Sequence, residues 1–112
     1  MIPKPISRAA ERKQDKRDAQ VVHRLAYSVV TSRDKRRCRA CGAEANPSAL
    51  EMTRRGHHHH IRFRSAGGKD DTSNLMLACA VCHADIHAHR LTVTGDANGV
   101  LTLERDGKVW TS

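Results

Sequence analysis

Large side chains are scarce in this chain. Among 112 residues the aromatics are only Tyr27, Phe63 and Trp110, and hydrophobic residues make up 38%. So few bulky groups exclude a large self-sufficient core and favour one small domain stiffened by a metal or a cross-link. No apolar run approaches the length of a membrane span, which excludes a transmembrane helix. The opening stretch "MIPKPISRAAERKQDK" lacks the apolar segment of a secretory signal, so a cytoplasmic protein is expected. In that compartment cysteines stay reduced and serve more often as metal ligands than in disulfides.

Acidic residues are also in short supply, and unevenly so. The formal net charge is +8, of which residues 1–37 contribute +7, residues 38–78 contribute +2 and residues 79–112 contribute −1. That asymmetry fits a polyanionic partner, most simply nucleic acid, or a solvated basic helix.

Residues 1–17 hold two prolines and little apolar periodicity, and read as a basic flexible arm that turns helical toward its end. From Asp18 to Arg33, Val21, Leu25 and Val29 recur at helical spacing, with Val22, Ala26 and Val30 beside them. This predicts an amphipathic helix whose apolar residues enter the core, leaving Arg24 and Arg33 outside. "ALEM" and "HHHIRFRS" read as short strands, "AGGKDDTSN" as a turn-rich loop, "NLMLAC" as a strand and "VCHADIHAHR" as a helix. Residues 91–112 alternate well enough for a terminal hairpin or three-stranded ribbon, with turns at Asp96–Gly99 and Asp106–Gly107. The predicted organisation is an arm (1–17), a central domain with its helix (18–90) and a C-terminal β-hairpin extension (91–112).

All four cysteines fall in two knuckles, Cys38-Arg-Ala-Cys41 and Cys79-Ala-Val-Cys82. Two such pairs supply the four thiolates of a closed structural zinc site, which has no open position for chemistry. The 37 residues between the knuckles (42–78) exceed the gap in a compact zinc ribbon, and they contain His57-His58-His59-His60. Zinc would pin both ends of a histidine-bearing segment.

Taken in order, His59-His60-Ile61, Gly67-Gly68, Asn74-Leu75, Cys79-Ala-Val-Cys82-His83 and His87 resemble the HNH endonucleases of the ββα-metal (His-Me finger) type. The resemblance covers roughly residues 33–90 and includes the flanking "RDKRRCRACG". It implies an α+β fold: a small ββα-metal nuclease domain stapled by the four-cysteine zinc, with an N-terminal helix and a C-terminal β-hairpin. In the family the second residue of the His-His pair lies seven positions before the first glycine, which assigns His60 as the catalytic base and His59 as the adjacent metal ligand. Asn74 matches the residue that braces the loop after the first strand, and that loop is expected to let His59 and His60 converge. His83 and His87, four apart on the predicted helix, share a face and complete a three-histidine metal site, as in colicin-type nucleases. His57, His58, His89 and His23 match nothing and read as surface residues. Asp is common in the family at the position of His59.

The resemblance implies a bacterial or phage-encoded, metal-dependent DNA endonuclease that leaves a 5′-phosphate and a 3′-hydroxyl. Mg²⁺ or Mn²⁺ is the usual catalytic metal of the family, and three imidazoles also suit Zn²⁺ or Ni²⁺. Arg62, Arg64, Lys69, Arg36 and Arg37 are candidates for phosphate contact. A homodimer or a larger partner protein would supply double-strand cleavage or sequence specificity. Two other readings compete: a non-catalytic zinc-binding module that holds DNA, and a metal store built on the histidine run. Neither requires the His-His, Gly-Gly and Asn anchors.

Overall fold

A computed structural model describes residues 7–112, in the order α1 (Arg8–Arg33), β1 (Gly56–His60), β2 (Leu75–Cys79), α2 (Ala80–His87), β3 (Thr92–Gly95), β4 (Leu101–Arg105) and β5 (Lys108–Thr111). Two antiparallel sheets form, β1-β2 and β3-β4-β5. The β1-β2 hairpin followed directly by α2 is the ββα unit of the α+β fold expected from sequence. Residues 1–6, the start of the predicted arm, lie outside the described part.

Helix α1 begins ten residues earlier than its apolar periodicity suggests. The Ser7 hydroxyl caps it, accepting from the amide of Ala10 at 3.2 Å, and Glu11 in the first turn complements the helix dipole. The expectation that its apolar stripe is core is corrected. Only Ala26 and Val30 are buried, packing with Leu75 and the flanking Tyr27. Val21, Val22, Leu25 and Val29 remain 52–62% exposed. A 26-residue helix is ~39 Å long, and this one meets the domain through its C-terminal turns, giving the molecule extents of 66 × 30 × 24 Å.

Arg33 is also not outside, as it was expected to be. Its guanidinium donates to the carbonyls of Thr72 and Leu75 at 2.7 and 2.6 Å, and to both carboxylate oxygens of Asp34. Asp34 is buried and is fully engaged: Arg33 and Arg39 pair with it, and its Oδ2 accepts from the amide of Leu77 at 2.9 Å. A buried charge is tolerated only when paired and hydrogen-bonded in this way. The cluster ties the end of α1, the first knuckle and β2 together.

β2 is buried along its whole length, between α1 on one side and α2 with the C-terminal sheet on the other. Met76, Leu77 and Ala78 join Leu91, Leu101, Leu103, Ile86 and the cysteines Cys38, Cys79 and Cys82 in one core. The terminal three-stranded sheet is thus part of that core. Its β4-β5 turn uses Asp106 and Gly107, both at positive φ, the geometry of a tight two-residue hairpin. "ALEM" forms no strand; the segment runs as turns, pinned by a single bridge between Asn46 and Arg55.

Candidate metal centre and cleft

The four histidines sit on one regular strand, and strand alternation sorts them. β1 pairs with β2 from Gly56↔Cys79 to His60↔Leu75, with no interruption between His59 and His60. Side chains therefore alternate between faces. His57 and His59 meet α2: His57 stacks on His83 with centroids 4.7 Å apart, and His59 sits 5.6 and 5.5 Å from His83 and His87. His58 and His60 face the other way, His58 onto Tyr27 of α1 and His60 onto Asp70. The loop expected to bring His59 and His60 together is not needed. His60 ends the strand, and there both residues reach one cleft of about 390 Å³, also lined by His58, Phe63, Arg64, Ser65, His83 and His87.

His59, His83 and His87 present nitrogens that all lie within 4.8 Å of one another. The Nε2 atoms of His83 and His87 are 3.1 Å apart. With metal–nitrogen bonds of ~2.0–2.1 Å, ligand nitrogens sit ~3 Å apart, so this pair has the separation of two imidazoles on one ion. His59 is 2% exposed, yet its Nε2 has no hydrogen-bond partner among the described residues. Burial, then the neighbouring His83, His87 and His60, lower its pKa to about 4. Burial and the nearby His57 and His87 also lower that of His83. An unpartnered, buried, neutral imidazole beside two others fits a divalent cation.

The sulfurs of Cys38, Cys41, Cys79 and Cys82 likewise lie within 4.8 Å of one another, and none forms a disulfide. Cys41 Sγ and Cys79 Sγ are 3.7 Å apart, close to the ~3.8 Å edge of a tetrahedron with Zn–S bonds of ~2.3 Å. Burial and the charge of Cys38 push the Cys82 thiol up, despite Arg105 donating to its sulfur at 3.8 Å. Four crowded thiols resist ionising together unless a cation shares their charge. The donor set and spacing are those of a zinc site.

Between β1 and β2 the chain turns through Arg64–Ala66 and Thr72–Asn74, two short 3₁₀ turns. Gly67 adopts φ +87 to end the first, and a Cβ on Gly68 would lie 1.7 Å from the carbonyl oxygen of Arg62. This is why the loop carries a glycine pair. Asn74 clamps the same loop: its Oδ1 accepts from the amide of Arg62 at 2.8 Å, and its Nδ2 donates to the carbonyls of Arg62 and Lys69 at 3.1 and 2.9 Å.

Of the basic candidates, Arg64 lines the cleft, while Lys69 lies on the clamped loop and Arg62 folds back onto the carbonyl of Ala66. Arg36 and Arg37 line a separate recess with Lys35 and Glu44. His57, His58 and His23 are half-buried and engaged, which corrects their reading as surface. His23 of α1 lies 3.8 Å from Asp70 and within 3.2 Å of Arg64. Asp70, 2.6 Å from His60, was not foreseen; an acid in a turn-rich loop carries no periodic signal, and the packing of His60 against the loop selects it.

Residues 38–89 match the family described as HNH endonuclease. No curated protein and no solved structure matches the chain.

Proposed function

We propose, on the match of residues 38–89 to the HNH endonuclease family, a metal-dependent enzyme that hydrolyses phosphodiester bonds of DNA with His60 as general base. The observation that supports this reading most is the cleft itself. It joins a three-histidine donor set to a fourth imidazole, His60, that faces away from that set. A plain zinc-binding module has no use for the second group.

In this reading His59, His83 and His87 hold the divalent cation, and Cys38, Cys41, Cys79 and Cys82 hold a structural zinc. A cation bound by these three histidines would neutralise charge on the phosphate and on the leaving oxygen. His60 takes a proton from water as the water oxygen bonds to phosphorus and the P–O3′ bond breaks. The 3′-oxygen collects a proton from solvent, leaving a 5′-phosphate and a 3′-hydroxyl. Arg64, exposed at the cleft, binds a phosphate oxygen. Asn74 acts through the loop backbone and holds Arg62 to Lys69 in place. The basic turns of α1, with Arg36, Arg37 and Lys69, add contacts to the backbone that carry no sequence information. A single copy carries one such cleft and nicks one strand.

Purified protein tests the proposal against the binding module. Nicking of supercoiled plasmid that requires added divalent metal is expected. Tight DNA binding without nicking under any of Mg²⁺, Mn²⁺, Zn²⁺ or Ni²⁺ would favour the module.

A further inference from the structure

The tightest side-chain contact at the cleft belongs to a residue that the metal and base assignments leave unused. Asp70 Oδ1 lies 2.6 Å from His60 Nε2 and also accepts from Arg64 Nη2 at 2.8 Å. We propose that Asp70 is a positioning residue for His60: it fixes the imidazole with the proton on Nε2 and leaves Nδ1 as the basic nitrogen. This rests on the reading of His60 as general base.

The geometry carries the assignment in three steps. An ionised carboxylate only accepts, so a contact this short requires Nε2 to donate. The Asp70 carboxyl is ionised at neutral pH. Partial burial would raise its pKa, but hydrogen bonds from His60 and Arg64 outweigh that and hold it below the usual range. Nε2 then cannot also accept from Arg64 Nε at 3.3 Å, and Nδ1 has no hydrogen-bond partner among the described residues.

Preorganisation separates this contact from an ordinary surface ion pair, which is worth little. Asp70 follows Lys69, whose carbonyl is held by Asn74, and precedes Asp71, whose carbonyl accepts the Asn74 amide at 2.9 Å. His60 is the last residue of β1, paired with the buried Leu75. The next amide, of Ile61, donates to the carbonyl of Asn74 at 2.8 Å, so both partners stand on backbone held at Asn74 and their separation is set before substrate arrives. Arg64 and His23 face the carboxylate from its other sides. The same logic lets carboxylates choose the tautomer of catalytic and metal-bound histidines elsewhere.

The test pairs D70A and D70E with H60A in the full-length, zinc-loaded protein. Long-range ¹H–¹⁵N spectra of the histidine rings are recorded, and the His60 signals are assigned from H60A. Wild type is expected to show His60 with its proton on Nε2, and D70A a mixture of tautomers. D70A should lose about 10–100-fold in kcat, the usual cost of removing such a support. Its KM for plasmid and its Mn²⁺ affinity should be unchanged, and D70E should recover part of the rate. A D70A protein with wild-type kcat, an unchanged His60 tautomer, or a loss confined to KM or to metal affinity overturns the role of Asp70. H60A cleaving at the wild-type rate overturns instead the reading of His60 as base, on which the proposal stands.

Discussion

The imidazole of His58 lies on the ring of Tyr27, centroids 4.1 Å apart and planes within 18° of parallel. Its Nε2 donates to the carbonyl of Tyr27 at 3.1 Å and lies 2.9 Å from the hydroxyl of Thr31. One histidine of the run thus pins β1 to the helix that would otherwise touch the domain mainly through Val30 and Arg33. Burial lowers its pKa, so the ring is neutral in this setting.

His58→Ala is therefore expected to destabilise the fold by about 1–3 kcal/mol, because the ring stack and a partly buried hydrogen bond both disappear. Urea unfolding measures it. Folded His58→Ala protein should still bind the catalytic metal, because His58 faces away from His59, His83 and His87. Unchanged stability would mean that Arg33 and Val30 hold α1 unaided.

Chelation of the four-cysteine site, or Cys41→Ser, should unfold residues 33–90. Cys38, Cys79 and Cys82 are members of the main core, and in so small a domain metal-binding energy is folding energy. Elemental analysis of protein freed of catalytic metal should find about one tightly held zinc per chain. A cysteine-free variant with native circular dichroism and cooperative unfolding would contradict this.

Removing residues 1–17 takes away Arg8, Arg12, Lys13, Lys16 and Arg17 of exposed helix while sparing the anchors Ala26 and Val30. DNA affinity should fall and become less sensitive to salt, the slope of log K against log[salt] flattening by about 0.9 for each phosphate no longer neutralised. Cleavage at low salt should survive. An unchanged slope would show that this half of α1 does not lie along the DNA backbone.

Asn74→Ala breaks three hydrogen bonds to the loop backbone at Arg62 and Lys69. Amides of residues 61–71 should exchange faster with solvent, and stability should drop by about 1–3 kcal/mol, three solvent-accessible hydrogen bonds each contributing about 0.5–1 kcal/mol net. Hydrogen exchange read by mass spectrometry checks it. Unaltered exchange across the loop would show that its other contacts, the Asp70 pair among them, hold it without Asn74.

The legible part of this protein was the part fixed by local spacing. Two Cys-x-x-Cys pairs, His-His seven residues before Gly-Gly, and Asn-Leu ahead of Cys-x-x-Cys-His all constrain backbone turns or shared ligands, so their intervals survive in sequence. The ββα order and the clustering of His59 with His83 and His87 followed from the family resemblance that those intervals carry. Contacts made by α1 were not legible. Val21, Leu25 and Val29 have the period of a buried face, but periodicity cannot say how far a helix overlaps its domain, and here only the last turns do. His23 and His58 looked idle for the same reason, since both are engaged only once α1 lies against β1. Asp70 is one of two adjacent aspartates in a loop, and nothing local distinguishes it from Asp71.

The central claim is that His60 acts on water while His59, His83 and His87 hold the metal. The rate of nicking supercoiled plasmid by His60→Ala at saturating metal, with Mn²⁺ affinity measured on the same protein, tests it most directly. Wild-type metal affinity is expected, with a rate lower by about 10²–10⁴-fold, the range for loss of a general base. His83→Ala measured in parallel should instead lose metal affinity and recover part of its rate in excess metal. A His60→Ala protein that nicks at the wild-type rate would contradict the account and require the base to be sought elsewhere in the cleft.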